Sequence, residues 1–228
     1  MKPISLPLDV ATLQRIGGRL GSNPAGLYAD AQGNRFYIKE LESPAHARNE
    51  WLAACLYQLA GAPTLTYLPC KNPCCIATRW VELQKKSIAH FNDAELAQAR
   101  HWFAVHAWTA NWDAAGLHGD NQCVADGQVL TMDTGGALNF RAQGDPKGSA
   151  FGTHVGELDQ LRSDPDNPHA VKLFGPMNAD EIRAAIDVVT AIADEEIRRV
   201  ILANGGHEKL VMKMLARKAD IVGWGSVV

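Results

Sequence analysis

No stretch of this chain approaches the roughly 18 consecutive apolar residues that a membrane-spanning helix requires, so a helical span is not expected. The opening MKPISLPLDV lacks the charged start, long apolar run and small-residue cleavage site of a secretory signal. Positive charge is not in excess: 22 Lys and Arg stand against 25 Asp and Glu, a formal net charge of −3. Neither nucleic acid nor an anionic membrane is attracted by such a balance, and no nucleic-acid partner or membrane insertion is expected. Cysteine is sparse and odd in number, five in 228 residues, which argues against a disulfide framework and for a reducing compartment. The expected location is cytoplasmic, in the producing cell or in a cell to which the protein is delivered. Cys70, Cys74 and Cys75 have no second ligand pair at metal spacing and are not read as a zinc site. Internal repeats and low-complexity tracts are absent as well.

What is present is enough apolar residue, 46% of the chain, to bury one sizeable core. Residues 15–41 are glycine-rich and read as strand, turn, strand, with turns at Gly21-Ser22-Asn23-Pro24 and Ala31-Gln32-Gly33-Asn34. Period-two alternation puts Phe36 and Ile38 on one face of the last strand, Tyr37 and Lys39 on the other. Ser43-Pro44 opens a helix in which Trp51, Leu52, Cys55, Leu56 and Leu59 recur until Gly61. Residues 65–68 and 76–81 predict a further strand pair. Asn92 and Glu95 cap a helix whose Leu96, Ala99, Phe103 and Ala107 share a face; Trp102, Trp108 and Trp112 are core residues by their spacing. Asp126-Gly127 is a strong two-residue hairpin signal. Residues 135–176 read as a long loop, in which Arg141, Lys147 and Lys172 either steer an anion or stand in solvent. Residues 179–204 and 207–218 predict two closing helices. The fold class is α+β, a small antiparallel sheet with one helix followed by a mostly helical half.

Counting outward from Asp126-Gly127 places Asn121 opposite Met132, next to Asp133. A carboxamide and a carboxylate at the open end of one hairpin suit Mg2+, which takes one or two protein oxygens and fills its shell with water and phosphate. Phosphoryl transfer needs little else: a cation on the phosphates, a carboxylate orienting the acceptor hydroxyl, and a covering loop. The sequence supplies candidates in order. The loop through Gly21, Ser22, Asn23 and Gly26 covers phosphates, Lys39 ends the next strand, Glu50 follows on the helix within reach of Lys39, and Asp113 precedes the hairpin.

These motifs, namely the glycine loop, Tyr37-Ile38-Lys39, His46-Ala47-Arg48-Asn49-Glu50, Asn111-Trp112-Asp113 with Asp120-Asn121, and Met132-Asp133-Thr134-Gly135-Gly136, resemble the divergent protein-kinase-like superfamily. The resemblance is closest to its phosphatidylinositol 3-/4-kinase and HipA-type branch and to small bacterial effector or toxin kinases. It implies a single two-lobed domain over residues 1–228, with an N-lobe of residues 1–84 and a helical C-lobe of residues 85–228. It also implies an ATP cleft behind a hinge at residues 78–83, with Trp80 and Val81 at the base. The implied activity is transfer of the γ-phosphate of Mg-ATP to a hydroxyl of a protein Ser/Thr or of a small hydroxylated metabolite. Lys39, Glu50 and Asp113 would be catalytic, and Asn121 and Asp133 would hold Mg2+. Asp113 and Asn121 are eight residues apart where five is usual, which leaves Asp120 as a rival to Asp113. Thr134 replaces the usual aromatic, so control by a swinging aromatic is not expected. Transfer of AMP on the same fold, and a nucleotide-binding module without turnover, are the alternatives.

Overall fold

The computed structural model describes residues 7–21, 23–84 and 86–225. Ser22, one of the expected phosphate-loop residues, lies outside the described residues. The first half is a five-stranded antiparallel sheet in the order β1-β2-β3-β5-β4, made of β1 (Gln14–Gly17), β2 (Ala25–Ala29), β3 (Arg35–Glu40), β4 (Tyr67–Pro69) and β5 (Cys75–Arg79), with α1 (Pro44–Leu59) between β3 and β4. The alternation of β3 is as expected. Phe36 and Ile38 are buried with Cys75 and Ala77 under Leu8, Val10 and Leu13 from the N-terminal segment, leaving Tyr37 and Lys39 on the opposite face.

α1 is buried against two partners, which is why apolar residues occupy more than one of its faces. Ala54 packs with Tyr67 and Ile76 of the sheet, while Leu52, Ala53, Leu56 and Tyr57 join the large helical core. Ser43 starts the helix without a side-chain cap, its hydroxyl meeting His46 Nδ1 at 2.8 Å instead. After β5, Trp80 N–H donates to Arg35 O and Gln84 N–H to Val124 O, so residues 80–84 carry the chain from the sheet to the second half.

That half contains α2 (Asp93–His101), α3 (Phe103–Trp108), the hairpin β6 (Gln122–Ala125) and β7 (Gln128–Thr131), then α4 (Glu157–Ser163), α5 (Pro168–Phe174), α6 (Ala179–Thr190), α7 (Asp194–Ala203) and α8 (Glu208–Gly225). The Asn92–Glu95 capping box forms in both directions. Asp126 and Gly127 take φ of 49° and 77°, the doubly left-handed turn that matches the twist of paired strands.

Four expectations are corrected. The helix after Asn92 breaks at Trp102, giving α2 and α3. Residues 135–176 are not a long loop but hold α4 and α5, each of seven residues, whose Leu158, Leu161, Leu173 and Phe174 are buried; helices this short give no sustained period to read. The first closing helix is two, because the chain turns at Ala191 to Ala193, where buried Ile192 anchors the bend and no Gly or Pro marks it. α8 also runs past residue 218 to Gly225.

Candidate active site

The site forms where the cleft face of β3, the buried side of α1 and the segment after β7 meet. Lys39 Nζ lies 2.9 Å from Glu50 Oε1 and 2.7 Å from Asp133 Oδ2. Glu50 is 2% exposed, Lys39 15% and Asp133 39% at the side chain, so the ammonium is held between an inner carboxylate and one that faces the cleft. Burial works against the Lys39 charge, but the Asp133 and Glu50 carboxylates outweigh it and hold its pKa well above that of free lysine. Burial raises the Glu50 pKa, with Lys39 opposing. Burial also acts to raise Asp133, but Lys39 and the Gly135 N–H prevail and its pKa is lowered. One ammonium against two carboxylates leaves a net negative charge.

Several backbone contacts fix this group. Asp133 Oδ1 accepts the Gly135 N–H at 2.8 Å. A Cβ at Gly135 would come within 3.0 Å of Asp133 Oδ1 and 3.1 Å of Glu50 Oε2, so a larger residue here would push on both carboxylates. Thr134 Oγ1 donates to Glu50 O at 3.1 Å, tying the segment to α1 where an aromatic side chain could not. Asn49 Nδ2 donates to Ala137 O, its Oδ1 accepts the Asn139 N–H, and the Tyr67 hydroxyl donates to Met132 O while accepting the Thr134 N–H. Neither Asn49 nor Tyr67 stands out as a site residue in the sequence. Asn49 has a readable signal only as a polar residue in the buried stretch beside Glu50.

The hairpin register is the expected one, ending at Gln122 opposite Thr131 with Met132 N–H donating to Asn121 O at 2.9 Å. The Asn121 side chain, however, turns to Asp113, donating to its Oδ2 and its carbonyl, both at 2.8 Å. The eight-residue spacing is absorbed by a compact loop, in which Gly116 and Gly119 take φ of 82° and 70° and Asn121 N–H donates to Ala115 O. Asp113 is part-buried beside Gly136, and burial followed by the Asp133 charge raises its pKa to about 6 in spite of the Asn121 hydrogen bond. Asp120 is exposed.

A cavity of about 400 Å³ opens over this group, lined among others by Asn23, Pro24, Glu50, Asp133, Gly135 and Arg141. The glycine loop lies on the Lys39 face of the sheet, held there by the Leu20 N–H donating to the Tyr37 hydroxyl at 2.8 Å. Gly21 sits exposed in that loop and Gly26 is buried in β2, paired with Ile38. Trp80 and Val81 do not line the cavity; the Trp80 indole donates to Glu82 and lies under the Arg35 guanidinium.

No family model matches the chain, and no curated protein is similar to it in sequence. Among solved structures it is similar to the Helicobacter pylori proinflammatory kinase CtkA, at 13% identity and a TM-score of 0.65, covering 97% of this chain and 98% of that one. The chain has a protein-kinase-like fold. An aminoglycoside phosphotransferase from Alicyclobacillus acidocaldarius matches more loosely, at 13% identity over 97% of this chain and 95% of that one with a TM-score of 0.36.

Within this kinase-like fold the second half contributes a buried lysine. Lys147 is neither a steering nor a solvated residue: it is 4% exposed and donates to Ala110 O at 2.6 Å and Gly136 O at 2.7 Å, with the Trp112 ring 4.8 Å away. It therefore clasps the backbone before Asp113 to the backbone after Asp133. Arg141 and Lys172 are exposed. Burial depresses the Lys147 pKa to about 7, Glu157 opposing and Arg217 and Arg141 adding to the shift. Between that value and the about 10.4 of free lysine only the unfolded chain holds the proton, so stability rises with pH across this window and is level below it. Lys147→Met is expected to flatten the rise, as read by urea denaturation at pH 7 and pH 10. A slope equal to that of the unmodified protein would show that Lys147 titrates as an ordinary lysine.

Among the described residues no three His, Cys, Asp or Glu side chains converge as a cage sufficient for a metal. The donor set fits Mg2+ only in company with phosphates. Asp133 offers a cleft-facing carboxylate in a net negative group, and Asn121 commits its nitrogen to Asp113 and so turns its oxygen away from it. No described helix is long and apolar enough to cross a membrane.

Proposed function

We propose that this protein is a Mg-ATP-dependent phosphotransferase that moves the γ-phosphate to a hydroxyl acceptor, most readily a protein Ser/Thr. The observation that carries the reading is the position of Lys39, a fixed ammonium between Glu50 and Asp133, two carboxylates that line a cavity bordered by Asn23 and Pro24. In this reading Lys39 holds the α- and β-phosphates, Glu50 holds Lys39, and Asp133 with the Asn121 oxygen holds Mg2+. Gly21, Ser22, Asn23 and Gly26 cover the phosphates, and Trp80 and Val81 border the base. Mg-ATP supplies the transferable phosphoryl group and the charge neutralisation it needs. Asp113, held by Asn121, orients the acceptor hydroxyl and takes its proton, a role for which a carboxyl titrating near neutrality is suited. Asp113 is preferred to Asp120 because it, and not Asp120, is part-buried beside Gly136.

The whole chain serves as one catalytic domain, with residues 1–84 and 85–228 as its two lobes. We place it with the phosphatidylinositol 3-/4-kinase and HipA-type branch and with small effector or toxin kinases, acting in a cytoplasm. Purified protein given γ-labelled ATP and Mg2+, alone and with cell lysate, is expected to label itself or an acceptor, and Asp133→Ala is expected to remove the label while keeping the fold. Equal labelling by Asp133→Ala would sink the reading. Label from α-labelled but not γ-labelled ATP would replace it by AMP transfer, and ATP binding without any label by a binding module.

A further inference from the structure

α1 meets the site twice. Glu50 holds Lys39, and seven residues on, about two turns along the same side of the helix, Tyr57 is fully buried among residues of the helical core. The Tyr57 oxygen accepts from Asn111 Nδ2 at 2.9 Å and lies 2.7 Å from His106 Nδ1. Asn111 can only donate through that nitrogen, and the His106 ring engages the same hydroxyl from its other side. His106 is fully buried and burial holds its pKa at about 3, which keeps the ring neutral. With its nitrogen engaged by Tyr57, the Asn111 carboxamide presents its oxygen to the Asp113 N–H at 3.2 Å. Tyr57, Asn111 and Asp113 are thus linked in order, from α1 to the residue assigned to the acceptor, with His106 of α3 on the outer side of the Tyr57 hydroxyl.

We propose that Tyr57 is a positioning residue for the phosphoryl transfer, acting through Asn111 to hold Asp113 where it meets the acceptor. The inference rests on the phosphotransferase reading above. Its physical basis is the two-sided nature of an amide. Asn111 is fully buried, and without the Tyr57 oxygen its NH2 group has no acceptor on that side. A flip of the carboxamide then sets N–H against the Asp113 N–H, and the start of the Asn111-to-Asn121 loop loses its anchor.

Tyr57→Phe removes one oxygen and keeps the ring. Its kcat is expected to fall about tenfold or more, since small misplacements of a reacting group cost this much, while KM for ATP stays within about twofold because Lys39, Glu50 and Asp133 are untouched. His106→Leu removes the other partner of the Tyr57 hydroxyl, leaving its oxygen free to accept from Asn111. It is expected to lower the melting temperature comparably yet keep kcat within about twofold. The double variant Tyr57→Phe with His106→Leu removes both partners of one hydrogen bond; it is expected to recover stability but not kcat, and carries the test if the single variant does not fold. All rates are taken at a temperature where circular dichroism shows each variant folded. Wild-type kcat in folded Tyr57→Phe or in the double variant, or loss of kcat in His106→Leu as deep as in Tyr57→Phe, overturns the positioning role alone. A wild-type protein that transfers no phosphate overturns it together with the reading it rests on.

Discussion

Lys39→Met is expected to abolish phosphate transfer and to weaken the fold at the same time. The ammonium is shared by two carboxylates at 2.9 and 2.7 Å, one of them only 2% exposed. Removing the cation leaves Glu50 charged, buried and facing Asp133. Breaking a buried pair in this way costs about 3–5 kcal/mol, and the accessible Asp133 places the expected loss at the lower end. Transfer is expected to drop by about a hundredfold or more, the scale on which preorganised charge in a dry site acts. The two effects separate in Lys39→Met combined with Glu50→Gln, which no longer strands a charge. That double variant is expected to regain most of the urea midpoint and none of the activity. A Lys39→Met protein as stable as wild type would mean that the three side chains are not an electrostatic unit.

The second large effect is expected from Arg217→Met on α8. All five guanidinium N–H groups are used: Nε donates to Trp108 O, Nη1 to Gly152 O and His154 O, and Nη2 to Ala107 O and to Glu157 Oε2 at 2.8 Å. Arg217 is fully buried and Glu157 only 4% exposed. The variant strands the Glu157 carboxylate and several carbonyls, a loss of about 3–5 kcal/mol and, for a chain of this size, a fall in melting temperature on the order of 10 °C. Arg217→Lys is expected to rescue little, because an ammonium has three donors and no planar fork. Glu157→Gln added to Arg217→Met is expected to recover part of the loss. Activity is expected to fall with stability, since Glu157 Oε1 also accepts the Trp112 indole N–H at 3.0 Å, next to Asp113. Scanning calorimetry of the four proteins checks the order.

The legible parts of this molecule were those encoded locally or by order along the chain. Asp126-Gly127 specifies its own turn, and from that turn the Asn121 and Met132 register follows by counting. Lys39 and Glu50 lie eleven residues apart on a strand and the next helix, so their meeting could be expected from two adjacent elements. The direction of the Asn121 side chain could not, because it depends on how Gly116 and Gly119 fold the preceding loop. Lys147 looked like a surface residue because lysines usually are; what buries it are carbonyls 37 and 11 residues away. Asn49, Tyr57 and Tyr67 likewise gain their roles only from partners tens of residues distant. The α4 and α5 helices were hidden by brevity, and the bend between α6 and α7 by the lack of any breaker residue.

The reach of Arg217 also sets an order of assembly during synthesis. The carbonyls of Ala107 and Trp108 receive their guanidinium donors from a residue 110 and 109 positions later in the chain. A nascent chain long enough to show Lys39, Glu50, Asp113, Asn121 and Asp133 outside the ribosome still lacks α8, and the carbonyls of Ala107 and Trp108 just before the Asp113 loop wait for that helix to dock. A fold built this way takes on its final hydrogen bonding at Ala107 and Trp108 only once residue 217 is in place.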